Sequence, residues 1–274
     1  MRKERGKEAM KQGAFRLKVL GARGSMPISG REYSVFGGST SCYLVEVGRE
    51  RIFLDAGTGL VHGPDDQPEP PTILLSHLHL DHVLGLGVYP RLLRKGCVTR
   101  LLVPAEGNTD PQDALNAVFS PPCWPLRLGE YAGQLQIEKQ AFPARIGEVR
   151  VDGIAGNHPG GCTAFRLDYG GRSLAYVTDH EPEPVADQAL IRLAEGVDLL
   201  LCDAQYTLEQ YANRRGFGHS ATEHALEMMH RSGAKRMLLI HHDPSSTDEV
   251  LLEREKRLGR SDVRYAREGE TIEL

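Results

Sequence analysis

Cysteine is scarce in this chain, tryptophan occurs once, positive charge is not in excess, and apolar runs are short. The five cysteines, Cys42, Cys97, Cys123, Cys162 and Cys202, are odd in number, scattered and without C-x-x-C spacing. That argues against a disulfide framework or a cysteine zinc site and fits a reducing compartment. No stretch approaches the roughly 20 apolar residues of a membrane span. The opening MRKERGKEAMKQG is basic and polar with no apolar segment behind it, so it does not read as a secretory signal. Residues 1–14 are expected to form a disordered basic tail, and the protein to be cytoplasmic with no membrane partner. A contact of that arm with nucleic acid stays open. Lys and Arg number 33 against 37 Asp and Glu, a net charge of −4. A broad grip on nucleic acid needs a basic surface, so nucleic acid is not the expected partner. A homodimer is compatible with the sequence. The 274 residues suffice for one large domain or two small ones.

Against these absences stands one dense stretch, TILLSHLHLDH at residues 72–82. An apolar strand runs into His77, His79, Asp81 and His82, all side chains that bind divalent metals. Imidazole and carboxylate suit zinc, and also iron and manganese. In an extended segment residues two apart share a side, so His77 and His79 can pinch one ion. The following turn re-aims Asp81 and His82 toward a second ion. The plain alternative is a polar strand end with solvated histidines.

The rest of the chain alternates strand and helix patterns. Strands are expected at 15–20, 41–47, 51–54, 72–76, 98–103, 135–140, 148–155, 163–169, 172–177, 198–202, 235–240 and 263–274. Helices are expected at 81–95, 111–119, 185–194, 221–231 and 248–258. Ser220 and Glu223 read as an S-x-x-E capping box, with Gly233 closing that helix. The pattern alone allows either two packed sheets or a doubly wound sheet.

The His-x-His-x-Asp-His motif resembles that of the metallo-β-lactamase superfamily. The family's later ligands are a His, a bridging Asp and a final His, each at a strand end or in the loop behind it. His158 in GNHPGG, Asp179 in LAYVTDHEP and His241 in MLLIHHDP match them. The resemblance implies an α/β (α+β) fold, the αββα metallo-β-lactamase sandwich, as a single domain over residues 15–274. It implies two divalent ions per chain, with zinc expected and manganese or iron accepted. His77, His79 and His158 would hold one ion, Asp81, His82 and His241 the other, and Asp179 would bridge them. His242 remains an alternative to His241.

The same resemblance bears on other residues. Asp55, in IFLDAGTG, matches a family Asp that orients a metal-bound His from behind, although a turn-starting Asp would look the same. His219, in GFGHSATEHALEMM, looks like the Gly-His-Ser of the RNase Z-like and cyclic phosphodiesterase branch, where the His contacts the scissile phosphate or protonates the leaving oxygen. Imidazole suits that task because it titrates near neutral pH. Asp81 and His219 are therefore the candidate catalytic side chains. His79 stands where redox relatives carry Glu, which argues against a di-iron oxygen-reducing centre. His180 could point into the pocket, whereas His62, His224 and His230 are expected to be solvated. Trp124, in FSPPCWPL, either stacks on substrate or anchors its loop to the core.

Two divalent ions about 4 Å apart can hold a hydroxide at neutral pH, so the expected chemistry is hydrolysis. RNase Z of the usual bacterial kind carries a long basic arm between the third His and the bridging Asp. Here that interval holds one short hairpin, TAFRLDYGGRSLAYV. The layout is closer to cyclic-nucleotide and phosphoribosyl 1,2-cyclic phosphodiesterases. The expected activity is cleavage of a small, cyclic phosphodiester through a metal-bound hydroxide. A lactone, thioester or β-lactam hydrolase, a tRNA 3′-end endonuclease and a non-catalytic metal-binding carrier are the alternatives.

Overall fold

The computed structural model describes residues 14–65, 68–106 and 109–274. The expected disordered tail, residues 1–14, thus lies outside the described residues except for Ala14.

Many strands are apolar at consecutive positions, and the structure shows why. In the second strand, Tyr43, Val45 and Val47 face one core while Cys42 and Leu44 face another. Double burial of this kind needs a layer on each side of the sheet. Six strands form most of a first sheet: β1 (Phe15–Gly21), β2 (Cys42–Val47), β3 (Glu50–Leu54), β4 (Thr72–Leu74), β5 (Val98–Pro104) and β6 (Gln134–Gln140). The next seven form the second: β7 (Ala144–Ile146), β8 (Val149–Gly156), β9 (Cys162–Tyr169), β10 (Arg172–Val177), β11 (Leu199–Asp203), β12 (Met237–Ile240) and β13 (Val263–Tyr265). The last strand, β14 (Thr271–Glu273), returns to the first sheet and pairs antiparallel with β1.

The strands β3 to β6 run parallel, as do β10 to β13, while the hairpins β1–β2–β3 and β7–β8–β9–β10 are antiparallel. Leu17, Val45 and Leu54 of the first sheet meet Val151, Leu167 and Leu201 of the second in the central core. Helices α3 (Pro184–Leu193), α5 (Thr222–Ser232) and α6 (Asp248–Leu258) cover the outer face of the second sheet through Leu190, Met229 and Leu251. The short α1 (Leu80–Val83) and α2 (Pro111–Val118) cover the first through Val83 and Leu115. A further short helix, α4 (Leu208–Ala212), lies in the loop after β11. The architecture is the αββα sandwich that the resemblance implied.

Three expectations need correction. The helix expected at 81–95 ends at Val83, followed by a 3-10 turn over Leu84–Val88. Gly85 packs so closely that a Cβ there would lie 2.0 Å from the Gly57 carbonyl oxygen, and Pro90 follows, so the chain lies flat against the loop behind β3. The strand expected at 263–274 is two strands in different sheets, separated by a turn that lets the C-terminus cross the sandwich. The edge strand β7 and the helix α4 were not anticipated. Among the described residues no helix is long and apolar enough to cross a membrane.

Leu201, fully buried in β11, tests the central core. Leu201→Ala should cost about 2–5 kcal/mol in urea unfolding. Val185→Ala, on a residue 76% exposed in α3, should stay within about 0.5 kcal/mol of the parent. Equal effects would contradict the placement of β11.

Candidate metal centre

The candidate residues follow or close the C-terminal ends of strands. Asp55 follows β3, His77 to His82 follow β4, His158 follows β8, Asp179 follows β10 and His241 follows β12. Three of them, Asp55 (φ 62°), Asp179 (φ 48°) and His241 (φ 61°), adopt the left-handed backbone region. Such conformations cost on the order of 1–3 kcal/mol each in non-glycine residues and persist where the surroundings enforce them.

Two groups of potential ligand atoms meet at Asp179. Its Oδ2 lies 3.6 Å from His77 Nε2 and 3.6 Å from His158 Nε2. Its Oδ1 lies 3.3 Å from His82 Nε2 and 3.4 Å from His241 Nε2. His79 Nδ1 is 3.1 Å from His158 Nε2. Asp81 Oδ2 is 3.1 Å from His241 Nε2 and 3.3 Å from His82 Nε2. His77, His79, His158 and Asp179 form one group able to hold a cation, Asp81, His82 and His241 another, and Asp179, Asp203, His219 and His241 a third that shares a member with each. The Nε2 atoms of His77 and His82 are buried without a hydrogen-bond partner, a state that a cation would relieve.

Four of the five rings are held from outside the cluster through Nδ1–H. His77 donates to Ser76 Oγ at 3.0 Å, whose own hydroxyl donates to Asp55 Oδ2. His82 donates to Asp55 Oδ2 at 2.6 Å, His158 to the Gly218 carbonyl at 2.8 Å and His241 to Gln205 Oε1 at 3.3 Å. Each bond aims Nε2 inward, the orientation in which that nitrogen would serve a metal once it has lost its proton. Asp55 is the hub behind His82, since it also accepts the Ser76 N–H and the Tyr176 hydroxyl. His79, exposed to solvent, is the exception and turns Nδ1 inward.

Burial and charge compete within the cluster. Burial alone would lower His241, but Asp179 and Asp81 hold it at about 9. Burial likewise opposes the charge on His82, yet Asp81, Asp179 and Asp55 hold it well above the usual imidazole value. Burial would raise Asp81 and Asp179, but the facing His82 and His241 keep both far below the carboxylate range. Burial pushes His77, His79 and His158 down.

His219 stands at the edge of this group. Its Nδ1–H donates to Asp203 Oδ2 at 3.0 Å, and its ring stacks on His241 with centroids 4.8 Å apart. His242 faces away: Nε2–H donates to the Ala266 carbonyl, the ring packs edge-on against Phe36, and burial holds its pKa down at about 3. His241 is thus the member of this pair that joins the cluster. Trp124 fits the anchor alternative. Its indole N–H donates to Tyr131, which donates to the Gly87 carbonyl, and its ring meets Phe119 edge-on.

Several other assignments change. Ser220 is not a helix cap, because its hydroxyl donates to the His180 carbonyl. The helix α5 starts after Ala221, whose N–H is accepted by His224 Nδ1, so His224 is a local cap and not a solvated side chain. His180 does not enter the pocket. It is buried, accepts the Asn157 N–H and donates to Asp187, which ties the loop carrying His158 to α3. Asp203, Gln205 and Ser25 were missed. Ser25 donates its N–H to Asp81 Oδ2 and accepts from Gln205. Asp203 did leave a trace: LLLCD ends an apolar strand in Asp, as IFLD and AYVTD do at Asp55 and Asp179.

Comparison with known proteins agrees with this architecture. A family profile described as a β-lactamase superfamily domain matches residues 50–242. The chain is 27% identical over 237 residues to ribonuclease BN of Erwinia tasmaniensis, covering 68% of this chain and 77% of that protein. It is similar in structure to the metallo-β-lactamase fold protein YhfI from Bacillus subtilis, with a TM-score of 0.71, 19% identity and coverage of 96% of this chain and 100% of that one. A diphosphatase from the PhnP family gives a TM-score of 0.68 at 18% identity, covering 95% of this chain and 97% of its own. These two likenesses speak to the fold.

The opposed pKa shifts predict a pH optimum for stability of chelator-treated protein. His241, raised to about 9, stabilises fully below its unfolded value of about 6.5, and that contribution is lost as pH rises through 9. His77, His79 and His158, lowered by burial, cost stability below about 6.5, where the unfolded chain binds their protons. Unfolding free energies from urea titration should therefore peak near pH 6.5 and fall by on the order of 3 kcal/mol of His241 contribution by pH 9, less so in His241→Gln. A flat alkaline limb in the parent protein would contradict the assignment.

Proposed function

The chain belongs to the β-lactamase superfamily, and on that premise we propose that it is a dinuclear-metal phosphodiesterase acting on a small, cyclic phosphodiester. The observation that carries the reading is the division of Asp179, with Oδ2 toward His77 and His158 and Oδ1 toward His82 and His241. In this reading His77, His79 and His158 would hold one ion, Asp81, His82 and His241 the other, and Asp179 would serve both. Zinc is expected, and manganese or iron suits the same donors. When bound, such a pair supplies Lewis acidity and an activated water at neutral pH.

The protein's own groups do the rest. Asp81 is held by the Ser25 N–H, which fixes one carboxylate oxygen between His82 and His241. His219 is the proton donor to the leaving oxygen, and Asp203 fixes its ring by accepting from Nδ1. A phosphodiester expels a poor alkoxide, so a positioned acid matters more here than in opening a lactone or a β-lactam. Beside His77 and His79 lies a cleft of about 460 Å³, walled by Leu78, Val103 and Pro104 and by Thr163, of a size for a small ligand. Between His158 and Asp179 the chain makes only the β9–β10 hairpin, which leaves no arm to hold a long RNA. Likeness to a ribonuclease favours a second reading, a tRNA 3′-end endonuclease, and weighs against excluding nucleic acid as a partner.

Protein supplied with zinc or manganese should cleave bis(para-nitrophenyl) phosphate and open at least one cyclic phosphate. Full metal loading with no diesterase activity would sink the reading, and strong cleavage of precursor tRNA with cyclic substrates untouched would favour the second one. Elemental analysis should find near two ions per chain, most of them lost in Asp179→Ala. His219→Ala should keep its metal while kcat on an alkyl phosphodiester falls about 100- to 10,000-fold. Unchanged turnover would remove His219 from the acid role.

A further inference from the structure

One large aromatic side chain beside the cluster is left without a structural purpose. Phe217 is 62% exposed and lies two residues before His219. The backbone on both sides of it is pinned. The Glu181 carboxylate accepts the Gly216 N–H at 2.8 Å and the Gly218 N–H at 2.9 Å. The Phe217 N–H donates to the Arg214 carbonyl, and the Gly218 carbonyl accepts from His158. Gly216 (φ 86°) and Gly218 (φ 88°) both take the left-handed conformation, and a Cβ at Gly218 would lie 2.1 Å from His158 Nδ1. The loop is therefore bound to a candidate ligand through Gly218 and leaves the neighbouring apolar ring open to solvent.

The neighbouring charges are held as well. The Arg214 guanidinium lies 5.0 Å from the Tyr206 ring centroid, and that of Arg215 lies 5.6 Å from the Tyr211 ring. An exposed aromatic ring on a pinned backbone and, two residues before it in the chain, the Arg215 guanidinium offer the two features that recognise a nucleotide, a surface for a planar base and positive charge for phosphate, whereas Arg214 already faces Asp243.

We propose that Phe217 is the face on which this site stacks a nucleobase, so that its small phosphodiester is a nucleotide. The proposal rests on the phosphodiesterase reading and adds the substrate class. Two esters with the same leaving group test it: a thymidine para-nitrophenyl phosphodiester and the methyl para-nitrophenyl phosphodiester. The metal-loaded protein should prefer the nucleoside ester in kcat/KM. Phe217→Ala should reduce that preference about 5- to 100-fold, the range to which base–aromatic stacking energies convert, and Phe217→Trp should retain it. The melting temperature of Phe217→Ala should match the parent, because the ring is largely exposed. No preference in the parent, or the same preference in Phe217→Ala, overturns the nucleotide assignment while cleavage of the methyl ester leaves the phosphodiesterase reading intact. If the loaded protein cleaves neither ester, the phosphodiesterase reading fails and the nucleotide assignment falls with it.

Discussion

Five imidazoles and two carboxylates share one largely buried space, and the rest of the structure answers to that crowding. Charges in such a place are costly unless they face opposite charge or a bound ion. Asp81 and Asp179 stay ionised because His82 and His241 face them. The rings cannot be positioned by one another, since all of them compete for the same centre. They are held from behind: Ser76, Asp55, the Gly218 carbonyl and Gln205 each take one Nδ1–H. Removing an outer partner should free a ring to rotate, which is why the outer partners matter as much as the rings.

Those outer partners exist because the sandwich brings strand ends together. Asp55 comes from the first sheet and Tyr176 from the second, yet they share a hydrogen bond of 2.6 Å across the core. Gln205 follows β11 and reaches His241, which follows the adjacent parallel strand β12. Rigid packing between the sheets can sustain left-handed backbone at Asp55, Asp179 and His241, where a free loop would relax. Local strain in this fold thus sits at the candidate metal cluster and is offset by the apolar core beneath it.

The surroundings of the cluster differ from side to side. Beside His77 and His79 is a cleft with an apolar wall. Beside His158 is the loop at residues 213–218, fastened by Glu181 and carrying Phe217 and two arginines that lie over Tyr206 and Tyr211. The two flanks thus differ in shape and charge, so a ligand at the cluster would meet an apolar wall on one side and a polar, cationic loop on the other.

Much of the fold was legible in the chain. Nine strands, β1 to β5 and β9 to β12, declare themselves because both of their faces carry core residues, and α3, α5 and α6 because one face does. Where tertiary contact overrode local pattern, the reading failed: 81–95 looks helical, but Gly85 presses against the Gly57 carbonyl and Pro90 interrupts the pattern beyond it. The last strand pattern, 263–274, could not reveal that its halves belong to different sheets, since alternation says nothing about which edge a strand joins. The sequence by itself determined which residues can bind metal and where strands end, because donor chemistry and apolar runs are local properties. Only the tertiary structure decided that His241 and not His242 faces Asp179, that Asp203 backs His219, that Ser220 bonds the His180 carbonyl and that Trp124 anchors its loop. Those outcomes depend on backbone direction at a strand end and on partners far apart in the chain, which no local pattern encodes.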